Sequence, residues 1–224
     1  MASGYYVTGT DTGAGKTLVC VTILHALRAQ GRRAVGMKPV ASGSTQGSEG
    51  WRNADALALQ EASEPTPPYL QVNPYALPAA TAPQIAAAEA GVDVRLDDIL
   101  QAHAELAKLA DFVVVEGVGG WLAPLANGLE QADLARALQL PVILVVAMKL
   151  GCLNHARLTE RAIRADGLEL AGWIGNHVTR DFDHAGEYAT LLRRELSAPC
   201  LGLLPFDEIR EPSRFTAKLR FVST

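Results

Sequence analysis

Cysteine is scarce in this 224-residue chain: Cys20, Cys152 and Cys200 are odd in number, far apart and without C-x-x-C spacing. That excludes a disulfide framework and a cysteine zinc centre. The five histidines show no metal-ligand spacing, and His25 and His103 fall inside helical patterns, where packing is the ordinary role. An excess of positive charge is also missing. Twenty Lys and Arg against 24 Asp and Glu leave a formal net charge of −4. No basic surface is therefore available for a nucleic-acid backbone or an anionic membrane. No apolar run approaches the roughly 18 residues of a membrane span, and the first residues, Met1-Ala2-Ser3-Gly4-Tyr5-Tyr6-Val7, lack the basic and apolar regions of a signal peptide. The expectation is a soluble, cytoplasmic protein with neither a nucleic-acid nor a membrane partner. Any phosphate it binds must be held by a few placed groups.

What the chain does have is enough apolar material for a core, 49% of its residues. Short β-rich runs at residues 5–9, 33–40, 112–115, 141–147, 170–176 and 200–204 alternate with helical patterns at 16–30, 53–62, 96–109, 152–165 and 184–196. Between 63 and 80, Pro65, Pro67, Pro68, Pro74 and Pro78 forbid long regular structure. Strands that are apolar throughout and alternate with helices predict an α/β fold, a mostly parallel sheet with helices on both faces. No repeat or linker divides the chain, so residues 1–224 are expected to form one domain. In such sheets ligands bind beyond the carboxyl ends of the strands, which directs attention to the residues after Val7, Val40, Val115, Ala147, Ile174 and Leu204.

The first of these points carries Gly9-Thr10-Asp11-Thr12-Gly13-Ala14-Gly15-Lys16-Thr17. Glycines let the backbone turn its N–H groups inward, and the following helix adds the positive end of its dipole. Lys16 can reach terminal phosphates and the Thr17 hydroxyl can bind Mg²⁺. The loop is one residue longer than the usual G-x-x-x-x-G-K-[ST] spacing. A strand before it, a helix after it and an intact Gly-Lys-Thr distinguish it from an incidental glycine turn, and make the domain P-loop NTPase-like.

Other strand ends are less specific. Lys38 and Ser42, in Gly36-Met37-Lys38-Pro39-Val40-Ala41-Ser42-Gly43, could bind an anion, though a solvated lysine is as ordinary a reading. Glu116 ends a very apolar strand, where a carboxylate needs a cation; Mg²⁺ is the suitable one, and a turn-stabilising carboxylate is the alternative. Asp55 reads only as an acid in the first turn of a helix. Gly151 and Cys152 start a helix whose free N–H groups could hold a carboxylate, and an ordinary strand-to-helix turn explains them equally well.

Taken in order, Val7-Thr8-Gly9-Thr10-Asp11-Thr12, Gly15-Lys16-Thr17, Lys38-Pro39-Val40-Ala41-Ser42-Gly43, Arg52-Asn53-Ala54-Asp55-Ala56-Leu57, Val72-Asn73-Pro74-Tyr75, Val115-Glu116-Gly117-Val118-Gly119-Gly120-Trp121 and Lys149-Leu150-Gly151-Cys152-Leu153-Asn154-His155 resemble the dethiobiotin synthetase family from about residue 4 to about 206. The resemblance implies an ATP- and Mg²⁺-dependent ligase of biotin synthesis. Its substrate, 7,8-diaminononanoate, takes up CO₂ (supplied as CO₂ or bicarbonate) as a carbamate. ATP converts this to a carbamic–phosphoric mixed anhydride, and the second amine closes a cyclic urea.

By the same resemblance, Lys16, Lys38 and Thr12 serve catalysis, and Thr17, Asp55 and Glu116 hold the metal. Nucleotide contacts are implied for Gly13, Ala14, Gly15, Lys16, Thr17, Leu18, Asp55, Glu116, Gly117, Val118, Gly119, Asn176, His177, Pro205, Phe206 and Asp207. Substrate contacts are implied for Thr12, Ser42, Gly151, Cys152 and Asn154, the last three across the interface of a homodimer. Gly13 and His177 depart from the family pattern, in which a larger residue and an aspartate are frequent. The competing reading is a partner-regulated P-loop ATPase switch of the chromosome-partitioning type. Such proteins place a second lysine inside the loop, where this chain has Thr10 and Asp11. Amide-forming relatives that act on cobyrinic acid carry a glutaminase domain, for which 224 residues leave no room.

Overall fold

A computed structural model describes residues 3–126, 128–209 and 211–219. Six strands form one parallel sheet: β1 (Ser3–Gly9), β2 (Ala34–Met37), β3 (Phe112–Gly120), β4 (Val142–Met148), β5 (Leu170–His177) and β6 (Cys200–Leu204). Their order is β6–β5–β4–β1–β3–β2. The chain leaves β1 for the edge at β2, returns to β3 beside β1, then crosses to β4 on the other flank. That reversal makes the carboxyl end of β1 the switch point, where a crevice opens.

The helices are α1 (Lys16–Ala29), α2 (Ala54–Ala62), α3 (Tyr69–Val72), α4 (Pro83–Ala90), α5 (Leu96–Leu109), α6 (Gln131–Leu138), α7 (Cys152–Ala165) and α8 (Ala185–Glu195). Alternate strand residues feed two cores. Tyr5, Val7, Val114, Ile143 and Val145 pack with α1, α2 and α3. Tyr6, Val113, Val115, Leu144 and Val146 pack with α4 to α8. With both faces covered, the central stretches of β1, β3 and β4 are buried on both sides, which is why these strands read as unbroken apolar runs. A 3₁₀ turn at Pro212–Lys218 inserts Phe215 into the core on the α1 side. Among the described residues no helix is long and apolar enough to cross a membrane.

Three features differ from the sequence expectation. The expected strand over 33–40 breaks after Met37. Pro39 has no N–H to offer a ladder, and the Lys38 N–H donates 2.8 Å to the Val72 carbonyl. Val40–Ala41 instead pairs with Tyr75–Ala76. Helices α4 and α6 were not expected; both span only eight residues. Finally, β3 continues through its glycines to Gly120 with a slip in register, since Val7 lies opposite Glu116 but Gly9 lies opposite Gly120. Residues 117–119 therefore face Thr8 alone, a bulge next to the crevice.

Candidate active site

The phosphate loop is tied down from two sides. The Thr10 N–H donates to Val145 O (2.9 Å), and the Thr10 hydroxyl accepts from Ala147 N (3.1 Å). Asn176, buried at the end of β5, donates its side-chain N–H to Ala14 O at 2.9 Å. Gly15 is left-handed (φ 88°), and a Cβ there would lie 2.1 Å from Asn176 Nδ2. Backbone conformation and close approach both demand glycine. Helix α1 then starts at Lys16 without a side-chain cap, leaving its first-turn N–H groups for an anion. Lys16 is 7% exposed, and its ammonium donates to Gly119 O (2.7 Å) and Asp11 O (3.2 Å). Burial and the nearby Lys38 charge hold its pKa below the ordinary lysine value.

The second lysine is held differently. Lys38 is 3% exposed, and its ammonium donates to Glu116 Oε1 (2.5 Å), Asp55 Oδ2 (3.1 Å) and Gly117 O (3.5 Å). Burial opposes its charge, but Glu116 and Asp55 outweigh burial and hold it protonated. For Asp55, burial is likewise outweighed, by the Lys38 charge and its hydrogen bond, and its carboxyl stays below the usual range. Glu116 is raised, because burial outweighs the attraction of Lys38. Thr17 donates its hydroxyl to Glu116 Oε1 at 2.9 Å, while Glu116 Oε2 is buried with no hydrogen-bond partner. One hydroxyl and two carboxylates, one of them with an orphaned oxygen, form a hard-oxygen donor set that suits Mg²⁺. The residues present fit that ion.

A buried polar chain fixes this second half. Asn53 caps α2 by accepting from Asp55 N (3.0 Å) and Ala56 N (3.4 Å), and it donates to Ser42 O (3.2 Å). The Asn53 N–H donates to the Tyr69 hydroxyl (2.8 Å), and that hydroxyl donates to Asn73 Oδ1 (2.9 Å). Asn73 in turn donates to Lys38 O at 2.6 Å. The cap places Asp55, and the far end of the chain holds the Lys38 backbone. Sequence reasoning gave Tyr69 and Asn73 no role. An asparagine two residues before Asp55 was a legible cap signal, but nothing local marked Tyr69 as its partner.

The crevice is a cleft of about 1190 Å³. Thr12, Gly13, Gly15, Lys16, Thr17 and Leu18 line it, with Lys38, Ser42, Asp55, Glu116, Val118 and Gly119 opposite. Glu211 and Pro212, from the terminal segment, also line it and were not anticipated. Ala14 is fully buried, and Gly117 faces Tyr6 and Gln131 instead. Beside the cleft, His177, Pro205, Phe206 and Asp207 line a separate hollow of about 530 Å³ with Arg180, whose guanidinium sits 6.0 Å from the Phe206 ring centre. Gly151, Cys152 and Asn154 line neither. One expectation there needs correcting: the Cys152 N–H is not free but donates 3.0 Å to Lys149 O, and the Cys152 side chain points into the core.

A family model described as an AAA domain matches residues 3–214. The ATP-dependent dethiobiotin synthetase BioD of Xanthomonas oryzae pv. oryzae (strain PXO99A) is 59% identical over 202 residues, covering 90% of this chain and 90% of that protein. The chain belongs to the dethiobiotin synthetase family. The synthetase BioD of Xylella fastidiosa (strain 9a5c) is also 59% identical, over 203 residues covering 91% of this chain and 90% of that one. Similarity in fold reaches well beyond the dethiobiotin synthetases. The signal recognition particle receptor FtsY of Elizabethkingia anophelis, solved with GDP, superposes with a TM-score of 0.56 at 16% identity, covering 97% of this chain and 63% of that chain. The septum site-determining protein MinD of Pyrococcus horikoshii OT3, solved with Mg-ADP, gives a TM-score of 0.53 at 17% identity, covering 96% and 86%. At those identities the likeness concerns the fold alone.

Proposed function

We propose that this chain, an ATP-dependent enzyme of biotin biosynthesis by its family, forms dethiobiotin from 7,8-diaminononanoate, CO₂ and ATP through a carbamate and a carbamic–phosphoric mixed anhydride. The observation that carries the reading is the convergence of two buried lysines. Lys16 from the phosphate loop and Lys38 from the end of β2 rest on carbonyls of one bulged segment, Gly119 and Gly117. The cleft between them exceeds the roughly 300–1,000 Å³ of an ordinary small-ligand pocket, which suits two substrates side by side.

The chemistry brings two anions together. One amine adds to CO₂ and loses a proton, giving the carbamate. A carbamate oxygen attacks the γ-phosphorus and ADP leaves. The second amine then attacks the carbamate carbon, the C–O bond to phosphate breaks, and the amine proton goes to solvent. Lys16 and the amides of Gly13, Ala14 and Gly15 are assigned to the β- and γ-phosphates. Lys38, kept charged by Glu116 and Asp55, is assigned to the space between carbamate and γ-phosphate, where charge develops. Thr17, Asp55 and Glu116 would hold Mg²⁺, whose charge offsets that of the phosphates. Thr12 and Ser42 are assigned to the carbamate and amines. The base is assigned to Asn176, with His177, Pro205, Phe206 and Asp207 around it. Gly151 and Asn154 lie outside the cleft of one copy, in keeping with a homodimer in which they meet the substrate carboxylate of the partner's site, whereas Cys152, with its N–H paired and its side chain in the core, takes no part.

The test is a phosphate-release assay. Release that requires diaminononanoate and bicarbonate together, with dethiobiotin formed in equal amount, is the expected result. Release that proceeds without either one rejects the assignment in favour of an ATPase switch.

A further inference from the structure

A bulge leaves backbone polar groups without ladder partners, and buried groups of that kind must be paired elsewhere. The bulge at residues 117–119 loses β2 as a neighbour, because β2 ends at Met37 opposite Val115. A single side chain supplies both partners of Val118 at its centre. Gln131, the first residue of α6, is fully buried. Its Oε1 accepts from Val118 N at 3.1 Å, and its Nε2 donates to Val118 O at 2.7 Å and to Gly120 O. The Tyr6 hydroxyl, also fully buried, donates 3.0 Å to Gln131 Oε1 from the neighbouring strand. The fit is tight: a Cβ on Gly117 would lie 2.2 Å from Gln131 Oε1.

The segment is thus divided residue by residue. The backbone groups of Val118 and Gly120 meet Gln131, and the carbonyls of Gly117 and Gly119 meet Lys38 and Lys16. Whatever fixes the first set aims the second. We propose that Gln131, oriented by Tyr6, is a positioning residue that sets the resting points of both lysines through the bulge. Neither side chain lines the cleft, so neither touches substrate. The inference rests on the assignment of Lys16 and Lys38 above.

The test compares Gln131→Met, Tyr6→Phe and the double variant, each assayed well below its own melting temperature. Misplacement of a catalytic group by about 1 Å costs roughly 10²-fold in rate. Gln131→Met is therefore expected to lower kcat about 10²-fold and Tyr6→Phe about fivefold. KM for diaminononanoate should stay within about twofold. Tyr6→Phe should add nothing in the Gln131→Met background, because the hydroxyl acts through the amide. A kcat within twofold of wild type for folded Gln131→Met overturns the proposal, as does an additive double variant. If Gln131→Met does not fold, Tyr6→Phe decides: a fivefold fall in kcat supports the positioning role and an unchanged kcat overturns it. Affinity for ADP, which Lys16 serves whatever the second substrate, separates this proposal from the assignment of the reaction. It should weaken in Gln131→Met even if wild type shows no dependence on diaminononanoate.

Discussion

Lys16 and Lys38 are both buried cations at strand ends, yet their surroundings are opposites. Lys16 rests on two backbone carbonyls, which are neutral partners that a phosphate can displace without leaving a charge behind. Lys38 is clamped between two carboxylates and stays protonated because of them. The first arrangement suits a group that must let go of its resting partners on each turnover. The second suits a fixed positive charge. Burying such an ion pair is not in itself a source of stability, since desolvation offsets the attraction. Its value is instead the fixed positive charge that the proposed chemistry assigns to that place.

That contrast can be broken experimentally. Lys38→Ala should produce the largest effect: kcat falls by about three orders of magnitude, in keeping with the loss of preorganised charge, while ADP binding stays near wild type. The same change strands Glu116 as an unpaired buried carboxylate, at about 3–5 kcal/mol of stability, so the assay needs a temperature at which the variant is folded. Normal turnover would remove Lys38 from the mechanism. Thr17→Val probes the shared centre: Mg²⁺-dependent nucleotide affinity should drop about 10²-fold, and an unchanged Mg²⁺ titration would reject Thr17 as a ligand. Tyr69→Phe tests the buried chain behind Lys38. It should cost about 1–3 kcal/mol in chemical denaturation and lower kcat while sparing ADP affinity; equal loss of both would show that the buried chain also supports the phosphate loop.

The smallest effect concerns Asp133, which accepts from Glu130 N and pairs with Arg136 at the start of α6, the helix that carries Gln131. These contacts hold its carboxyl below the ordinary 3.8. A group with a lowered folded pKa stabilises above its unfolded value and loses that stabilisation as pH falls through the folded one. The stability gap between wild type and Asp133→Asn should therefore be full at neutral pH and close below about pH 3.8; a gap that persists unchanged into stronger acid would contradict the assignment.

The Lys16 half was legible in the sequence because its determinants are contiguous. A β-rich run, a glycine loop and a helix placed the phosphate loop correctly, and α1 ends within a residue of the expected boundary. The Lys38 half was legible only as a set of isolated residues. Asp55 read as a helix-start acid, which it is, but its approach to Lys38 depends on Asn53, Tyr69 and Asn73 meeting across the proline-rich stretch. Gln131 was illegible for a different reason. A glutamine at a helix start looks like a solvated polar residue, and only the register slip in β3 creates the backbone groups it satisfies. Helix α4 escaped notice because its alanine-rich sequence has no apolar stripe to read.

The contact between Gly15 and Asn176 has a consequence for anyone redesigning nucleotide choice. On the assignment of the base to Asn176 made above, the same amide also holds the carbonyl of Ala14, so base recognition and grip on the phosphates would share one hinge pin. A substitution at 176 chosen to accept a different base would also loosen the loop beneath it. Altered specificity is better sought at His177 or Phe206, which line the neighbouring hollow and have no bond to the phosphate loop among the described contacts.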